Sequence, residues 1–293
     1  MNRRTFLKAI AASTAKGLAS MKRRVHAAES SSVPWEINTV RGRISMREFG
    51  VVLTHEHITT DFVGAEKFPQ PRYDRELAFD TILPHLKRAQ EQGVSALFEC
   101  TPKYIGRDVQ LLRRLSEATD LHLVTNTGYY GAVGNKYLPQ HAFEESAKQL
   151  AARWLNEWNN GIDGTDIKPG FIKLGVGNGR LPPLHDKLVR TAATVHKETG
   201  MTICIHTGNG EAALDELRIL KEEGIAPEAF VWVHAQNDAG PIQIEVAKRG
   251  GWVSLDGYSV SAQSPKRYVN MLKALQDAGC LGRVLISHDD GFA

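Results

Sequence analysis

Long apolar runs are missing from this chain. No segment reaches the roughly 20 residues needed to cross a bilayer, so no membrane span is expected. Cysteine is scarce: Cys100, Cys204 and Cys280 are the only three, with no CxxC pair. That excludes a disulfide framework and a cysteine-rich zinc module. Cys100 and Cys204 sit in the apolar runs "ALFEC" and "MTICIH", where buried free thiols are the default. No GxGxxG follows the first strand-like run, which speaks against a dinucleotide-binding sheet. Internal repeats and low-complexity tracts are absent too.

A basic stripe is also lacking, although the formal charge is +3. Residues 1–28 carry Arg3, Arg4, Lys8, Lys16, Lys22, Arg23 and Arg24 and no acid. Setting these seven of the 36 cations aside leaves 29 against 33 acids, a net −4 for the rest. A nucleic-acid partner is therefore not expected. "NRRTFLKAIAAS" pairs two arginines with a weakly apolar stretch, and "VHAAES" offers a small-x-small cleavage region near Ala27 or Ala28. This resembles a twin-arginine export signal, which would send the protein to the periplasm or outside the cell. Without such a signal the chain would stay in the cytoplasm. Residues 1–28 are set apart as a signal peptide, and 29–293 as the functional domain.

What is present is alternation. The 42% hydrophobic and 24% charged fractions supply an ordinary globular core. Eight short apolar runs read as strands: "VVLTH" at 51, "VSALFEC" at 94, "HLVTNTG" at 122, "GFIKLGV" at 170, "MTICIH" at 201, "FVWVH" at 230, "WVSLD" at 252 and "RVLISHD" at 283. Between them lie amphipathic segments with acids early and bases late, such as "DRELAFDTILPHLKRAQEQG" and "EAALDELRILKEEG". Several end in glycine, at Gly93, Gly200, Gly224 and Gly250, which suits a helix C-terminus. Eight such units predict a (β/α)8 TIM barrel with its chemistry at the C-terminal strand ends. A doubly wound open sheet is the alternative.

Those ends are where the metal-ligating residue types collect. His55 and His57 close the first run, two apart, so both point to one face and Glu56 to the other. His206 ends the fifth run, His234 the sixth, and Asp289 the eighth. A barrel would bring all five to one mouth. Lys173 lies in the fourth run between Phe171, Ile172, Leu174 and Val176, where a bare ammonium is costly to bury. Three readings compete for it: a structural lysine paired with an acid, a neutral amine for Schiff-base chemistry, or a carbamate bridging two metals. The histidine array favours the carbamate. His85, His122, His141, His185, His196 and His288 read as structural, as does the pair Trp154 and Trp158 at helical spacing.

The segments "LTHEHI", "IGRDVQLL", "GIDGTDIKPGFIKLG", "ICIHTG" and "ISHDDG" together resemble the phosphotriesterase family of the amidohydrolase superfamily, from about Trp35 to the last residue. The resemblance implies a binuclear centre, usually of zinc. It implies that His55, His57 and Asp289 hold the more buried metal and that His206 and His234 hold the more exposed one. Lys173, carboxylated by carbon dioxide, and a hydroxide would bridge them. It implies hydrolysis of a small-molecule ester, lactone or phosphoester by that hydroxide, with Asp289 taking its proton. Tyr130, in "TGYYG", matches the position where related lactonases carry a tyrosine beside the metal. Two other classes compete: a Schiff-base lyase using Lys173, and a non-catalytic metal-binding remnant.

The chain departs from the family pattern in three places. Efficient phosphotriesterases have an aspartate three residues after the sixth-strand histidine, where Asn237 stands here beside Asp238. They have a histidine, and lactonases an arginine, after the "LD" pair, where this chain has Gly257. The proton relay and the lactonase arginine are both missing. Asp256, in the same pair, reads as a structural hydrogen-bonding group. The sequence stops at Ala293, four residues after Asp289, where the family continues with a loop and a last helix, so the chain either ends early or is a fragment. Leu285 and Val52 would then lack cover, or a second copy of the chain, as a homodimer, would supply it.

Overall fold

The computed structural model describes residues 35–67, 73–258 and 265–291. Residues 1–28 lie outside these.

A short antiparallel hairpin comes first: β1 (Glu36–Thr39) pairs with β2 (Gly42–Ser45), Glu36 opposite Ser45. Then come β3 (Val51–Glu56), β4 (Val94–Glu99) and β5 (His122–Val124), paired in parallel. A second parallel sheet follows in chain order: β6 (Asn126–Thr127), β7 (Phe171–Gly175), β8 (Ile203–His206), β9 (Phe230–Val233), β10 (Trp252–Leu255) and β11 (Val284–Ile286). The run expected at 122 is β5 and β6, separated by Thr125. All eight expected strand runs are therefore present.

Helices separate the strands: α1 (Arg75–Glu91), α2 (Val109–Thr119), α3 (Gln140–Glu144), α4 (Ala147–Asn160), α5 (Pro183–Thr199), α6 (Gly210–Glu222), α7 (Pro241–Lys248) and α8 (Pro265–Asp277). Their starts are written locally. Asp74 accepts from the Glu76 and Leu77 amides, and Ser146 forms a capping box with Gln149. Gly93, Gly200, Gly224 and Gly250 all take positive φ after their helices. The alternation and parallel pairing are consistent with a (β/α)8 barrel. Beyond β11 the chain runs beside β3, with Asp289 N donating to His55 O at 3.2 Å and His57 N to Asp290 O at 2.8 Å.

The main apolar layer lies between strands and helices, around Leu150, Trp154, Leu188, Ile203 and Trp232. A smaller cluster of Cys100, Val124 and Phe171 packs with Ile37, Phe49, Phe98 and Cys204. Asn38 Nδ2 donates to Pro169 O at 3.1 Å, which anchors the hairpin at the N-terminal end of β7. The opposite end is left for chemistry. Leu285 and Val52 are half-buried. The exposed apolar side chains on their strands are instead Ile286 and Val51, at 47% and 57%.

Candidate metal centre

His55 and His57 share a face of the chain leaving β3, with ring centroids 5.3 Å apart. Thr101 fixes the tautomer of His57. Its hydroxyl donates to Thr59 O at 3.2 Å, so its one hydrogen is committed. His57 Nδ1, 2.8 Å from that hydroxyl, must then carry the ring proton, and Nε2 keeps its lone pair. His55 is 1% exposed, and neither ring nitrogen has a hydrogen bond. Burial pushes its pKa down to about 4, so the imidazole is neutral and able to bind a cation.

Asp289 completes the group. Its Oδ1 lies 3.2 Å from His55 Nε2 and 3.1 Å from His57 Nε2. Burial would raise its pKa, but its close contacts with the two histidines outweigh it and hold the carboxylate well below its usual range. Ligand atoms of His55, His57 and Asp289 all lie within 4.8 Å of one another. A buried imidazole with two unpaired nitrogens beside a carboxylate is a poor resting state for a protein interior and a good cation site. The residues fit a metal.

The other donors approach from across the strand ends. His206 ends β8 and His234 follows β9, with ring centroids 4.4 Å apart; His234 is 5.0 Å from His55. His234 takes a left-handed backbone (φ 63), which turns its side chain out of the strand. Asp256, after β10, accepts from His234 Nδ1 at 2.7 Å, from the His234 amide at 3.1 Å and from Gln236 Nε2 at 3.1 Å. The proton is thereby held on Nδ1, which leaves Nε2 as the donor atom. Burial would raise the Asp256 pKa, but His55 and His234 outweigh it and keep it charged.

Burial, aided by His234, Lys173 and His55, pushes the His206 pKa well below its usual value. Its Nε2 lies 2.9 Å from the Tyr130 hydroxyl, which burial keeps protonated. Lys173, in β7, is 1% exposed, with Nζ 5.8 Å from the centre of the Tyr130 ring. Gly175 makes room for that ring, since a Cβ there would collide with it, and Gly128, at φ 118, lets its chain pass close to the Lys173 carbonyl. One cavity of about 370 Å³ is lined by His57, Tyr130, Lys173, His206, His234 and Asp289.

The structure thus gathers His55, His57, Lys173, His206, His234, Asp289 and Tyr130 around one mouth. Asp256 makes the structural hydrogen bonds expected of it, and makes them to His234. Thr101 carried no sequence signal, because its role is set by a contact 44 residues away from His57. Gly257 leaves no vacancy: a Cβ there would sit 2.6 Å from Gln236 Nε2, so that amide fills the space. Asp238, beside Asn237, is taken up by the Gly210 amide at 2.7 Å.

A parallel α/β chain with a His/His/Asp cluster at its strand ends defines a metal-dependent hydrolase. The Phosphotriesterase family model matches residues 35–291, and the chain belongs to that family, within the amidohydrolase superfamily. It is 30% identical over 243 residues to the phosphotriesterase homology protein of Escherichia coli K12, covering 82% of this chain and 81% of that one. It is 29% identical over 251 residues to an aryldialkylphosphatase of Saccharolobus solfataricus, covering 84% and 78%. With the N-acetyltaurine hydrolase of Homo sapiens it is 25% identical over 304 residues, covering 88% of this chain and 85% of that one. Its activity is accordingly that of a phosphotriesterase- or lactonase-like hydrolase. Among the described residues no helix is long and apolar enough to cross a membrane.

Proposed function

We propose that this chain is a binuclear hydrolase of lactones or carboxylic esters. The observation that carries the reading is His55, buried, neutral and unpaired at both ring nitrogens beside Asp289. His55, His57 and Asp289 would hold one divalent ion, zinc by the family's habit, and His206 and His234 the other. Lys173, carboxylated by carbon dioxide, would supply an oxygen to each. Such ions lower the pKa of water and polarise the bond to be cleaved.

The chain's own groups do the rest. Asp289, kept charged by its histidines, accepts the proton of the attacking water. Tyr130 keeps its hydroxyl proton and presents it at the cavity wall. The water oxygen bonds to the carbonyl carbon, the carbon–alkoxide bond breaks, and the leaving oxygen takes the proton.

Among the described residues, the cavity lining apart from the proposed ligands and Lys173 holds no charged side chain; its apolar part includes Phe62, Val133, Tyr137 and Ile105. Phe62 and Val133 are 55% and 65% exposed. Lys136 Nζ donates to Phe62 O at 2.6 Å and lies 5.4 Å from the centre of the Tyr137 ring. A substrate with an apolar arm finds contact with these side chains. Asn237 and Gly257 leave out the family's relay, so phosphotriesters are expected to be poorer substrates.

The test is elemental analysis with kcat/KM on lactones, esters and a paraoxon-type phosphotriester, before and after chelation. About two metals per chain and chelator-sensitive lactonase or esterase turnover are expected. A preference for the phosphotriester overturns the substrate reading. Chelator-insensitive turnover with borohydride trapping of a carbonyl compound points to the Lys173 amine instead. Stoichiometric metal without turnover on any substrate points to a binding remnant. We also propose export through Arg3 and Arg4: changing both to Lys should retain the protein in the cytoplasm, and undiminished export would refute it.

A further inference from the structure

Glu56 stands between His55 and His57 but turns away from the cavity. It is 5% exposed, and its carboxylate collects donors from one short turn. Its Oε1 accepts from Ser287 Oγ at 2.6 Å and from the His288 amide at 3.0 Å, with His288 Nδ1 also 3.0 Å away. Its Oε2 accepts from the Asp290 amide at 3.1 Å. Ser287 Oγ in turn accepts from the His55 amide at 3.1 Å. Glu56 alone thus takes a hydrogen bond from each of Ser287, His288 and Asp290.

That turn carries Asp289. β11 has already ended at Ile286; beyond it, Ser287 bonds Leu255 O and the Tyr258 amide through its backbone, and 289–290 bond β3. Asp289 also sits at φ 57, a left-handed conformation uncommon for any residue but glycine. Such a backbone persists only where its surroundings impose it. The surroundings here are the Glu56 carboxylate, the two backbone bonds between 289–290 and β3, and those of Ser287 with Leu255 and Tyr258. Bonds from a carboxylate to amides and a hydroxyl are charge-assisted and stronger than neutral ones.

We propose that Glu56 is a positioning residue, which holds the turn bearing Asp289 against the strand bearing His55 and His57, so that the three form one metal site. This rests on the metal-centre reading above. Glu56 touches no reacting atom; it acts through Asp289. In Glu56→Gln the amide keeps one acceptor and sets an NH2 against the donors of Ser287 and His288 or against the Asp290 amide. One buried donor is then left unpaired, and the turn relaxes away from β3.

The experiment is graded chelation of metal-loaded wild type and Glu56→Gln, with metal content read by elemental analysis. Wild type should lose its two ions in two steps. In the variant, one step should move about 10- to 100-fold toward weaker binding and the other stay in place. With metal in excess, kcat should fall and KM hold. Two unmoved steps, or two steps moved equally, overturn the proposal; the second result marks general loosening of the fold. If Glu56→Gln does not fold, Ser287→Ala serves, since it keeps the carboxylate but removes the 2.6 Å bond and the acceptor for His55 N. It should move the same single step by a smaller factor, and no movement overturns the proposal. Wild type that binds no metal would instead bring down the metal-centre reading itself.

Discussion

Replacing Asp256 with asparagine should weaken metal binding while leaving the fold in place. The carboxylate is fully buried, and both oxygens are engaged. Oδ1 faces His234 Nδ1 at 2.7 Å and Gln236 Nε2 at 3.1 Å; Oδ2 faces the His234 amide at 3.1 Å and lies 3.6 Å from His55 Nδ1. An amide has only one acceptor. With its NH2 at the Oδ2 position, it opposes a backbone N–H that cannot change. With its NH2 at the Oδ1 position, His234 must move its proton to Nε2, which removes the lone pair a cation needs. The first arrangement strands a buried donor at about 1–3 kcal/mol. The second spoils a ligand, for which changes of this kind cost about 10- to 100-fold in affinity. A factor of ten is about 1.4 kcal/mol, so the loss is about 1–3 kcal/mol by either route, as stability in the first and as metal affinity in the second. The assay is competition for zinc with a chromophoric chelator, together with urea unfolding followed by far-ultraviolet circular dichroism. An Asp256→Asn protein as stable as wild type that also binds metal as tightly would refute the reasoning.

Lys173→Ala should abolish turnover and lower metal content, and a small carboxylic acid should restore part of both; a metal-loaded structure showing a bare amine would end the carbamate reading. Arg107 has a fully buried guanidinium that meets Glu157 at 2.6 Å, Asp163 at 3.3 Å and Asn126 O at 2.8 Å. Arg107→Met leaves those carboxylates without it and should cost about 3–5 kcal/mol, lowering the melting midpoint by roughly 10 °C; an unchanged midpoint counts against the ion cluster. Metal-stripped protein should lose stability on acidification. His55 has a folded pKa of about 4 against 6.5 unfolded, so its contribution is whole above pH 6.5 and lost as pH falls toward 4. The loss is about 3 kcal/mol, and His206 shifts in the same direction. His288, raised by its hydrogen bond to Glu56, opposes this weakly because it is half-exposed. Urea unfolding at pH 7.5 and 4.5 decides; equal stability at both would contradict the burial argument.

What the sequence could show was whatever the chain encodes locally. Apolar runs, capping residues and terminal glycines all act within a few positions, so strands and helices were legible, and with them the strand ends bearing His55, His206 and His234. Asp289 was legible as a residue type but not as a geometry. "RVLISHD" reads as one strand, yet β11 stops at Ile286 and the turn beyond it bends to satisfy Glu56, more than 230 residues earlier. The same limit governs Gly257. In the sequence it is only the absence of a histidine or arginine. In the fold its place is taken by the Gln236 amide, which Asp256 holds from both sides: Nε2 donates to Oδ1, and Oε1 accepts from the Asp256 amide, each at 3.1 Å. A histidine or arginine put back at 257 would therefore have to evict Gln236 and break the group that holds His234. The departure from the family pattern is thus a different packing around the same ligand, so restoring the family residue alone should not restore the family's relay.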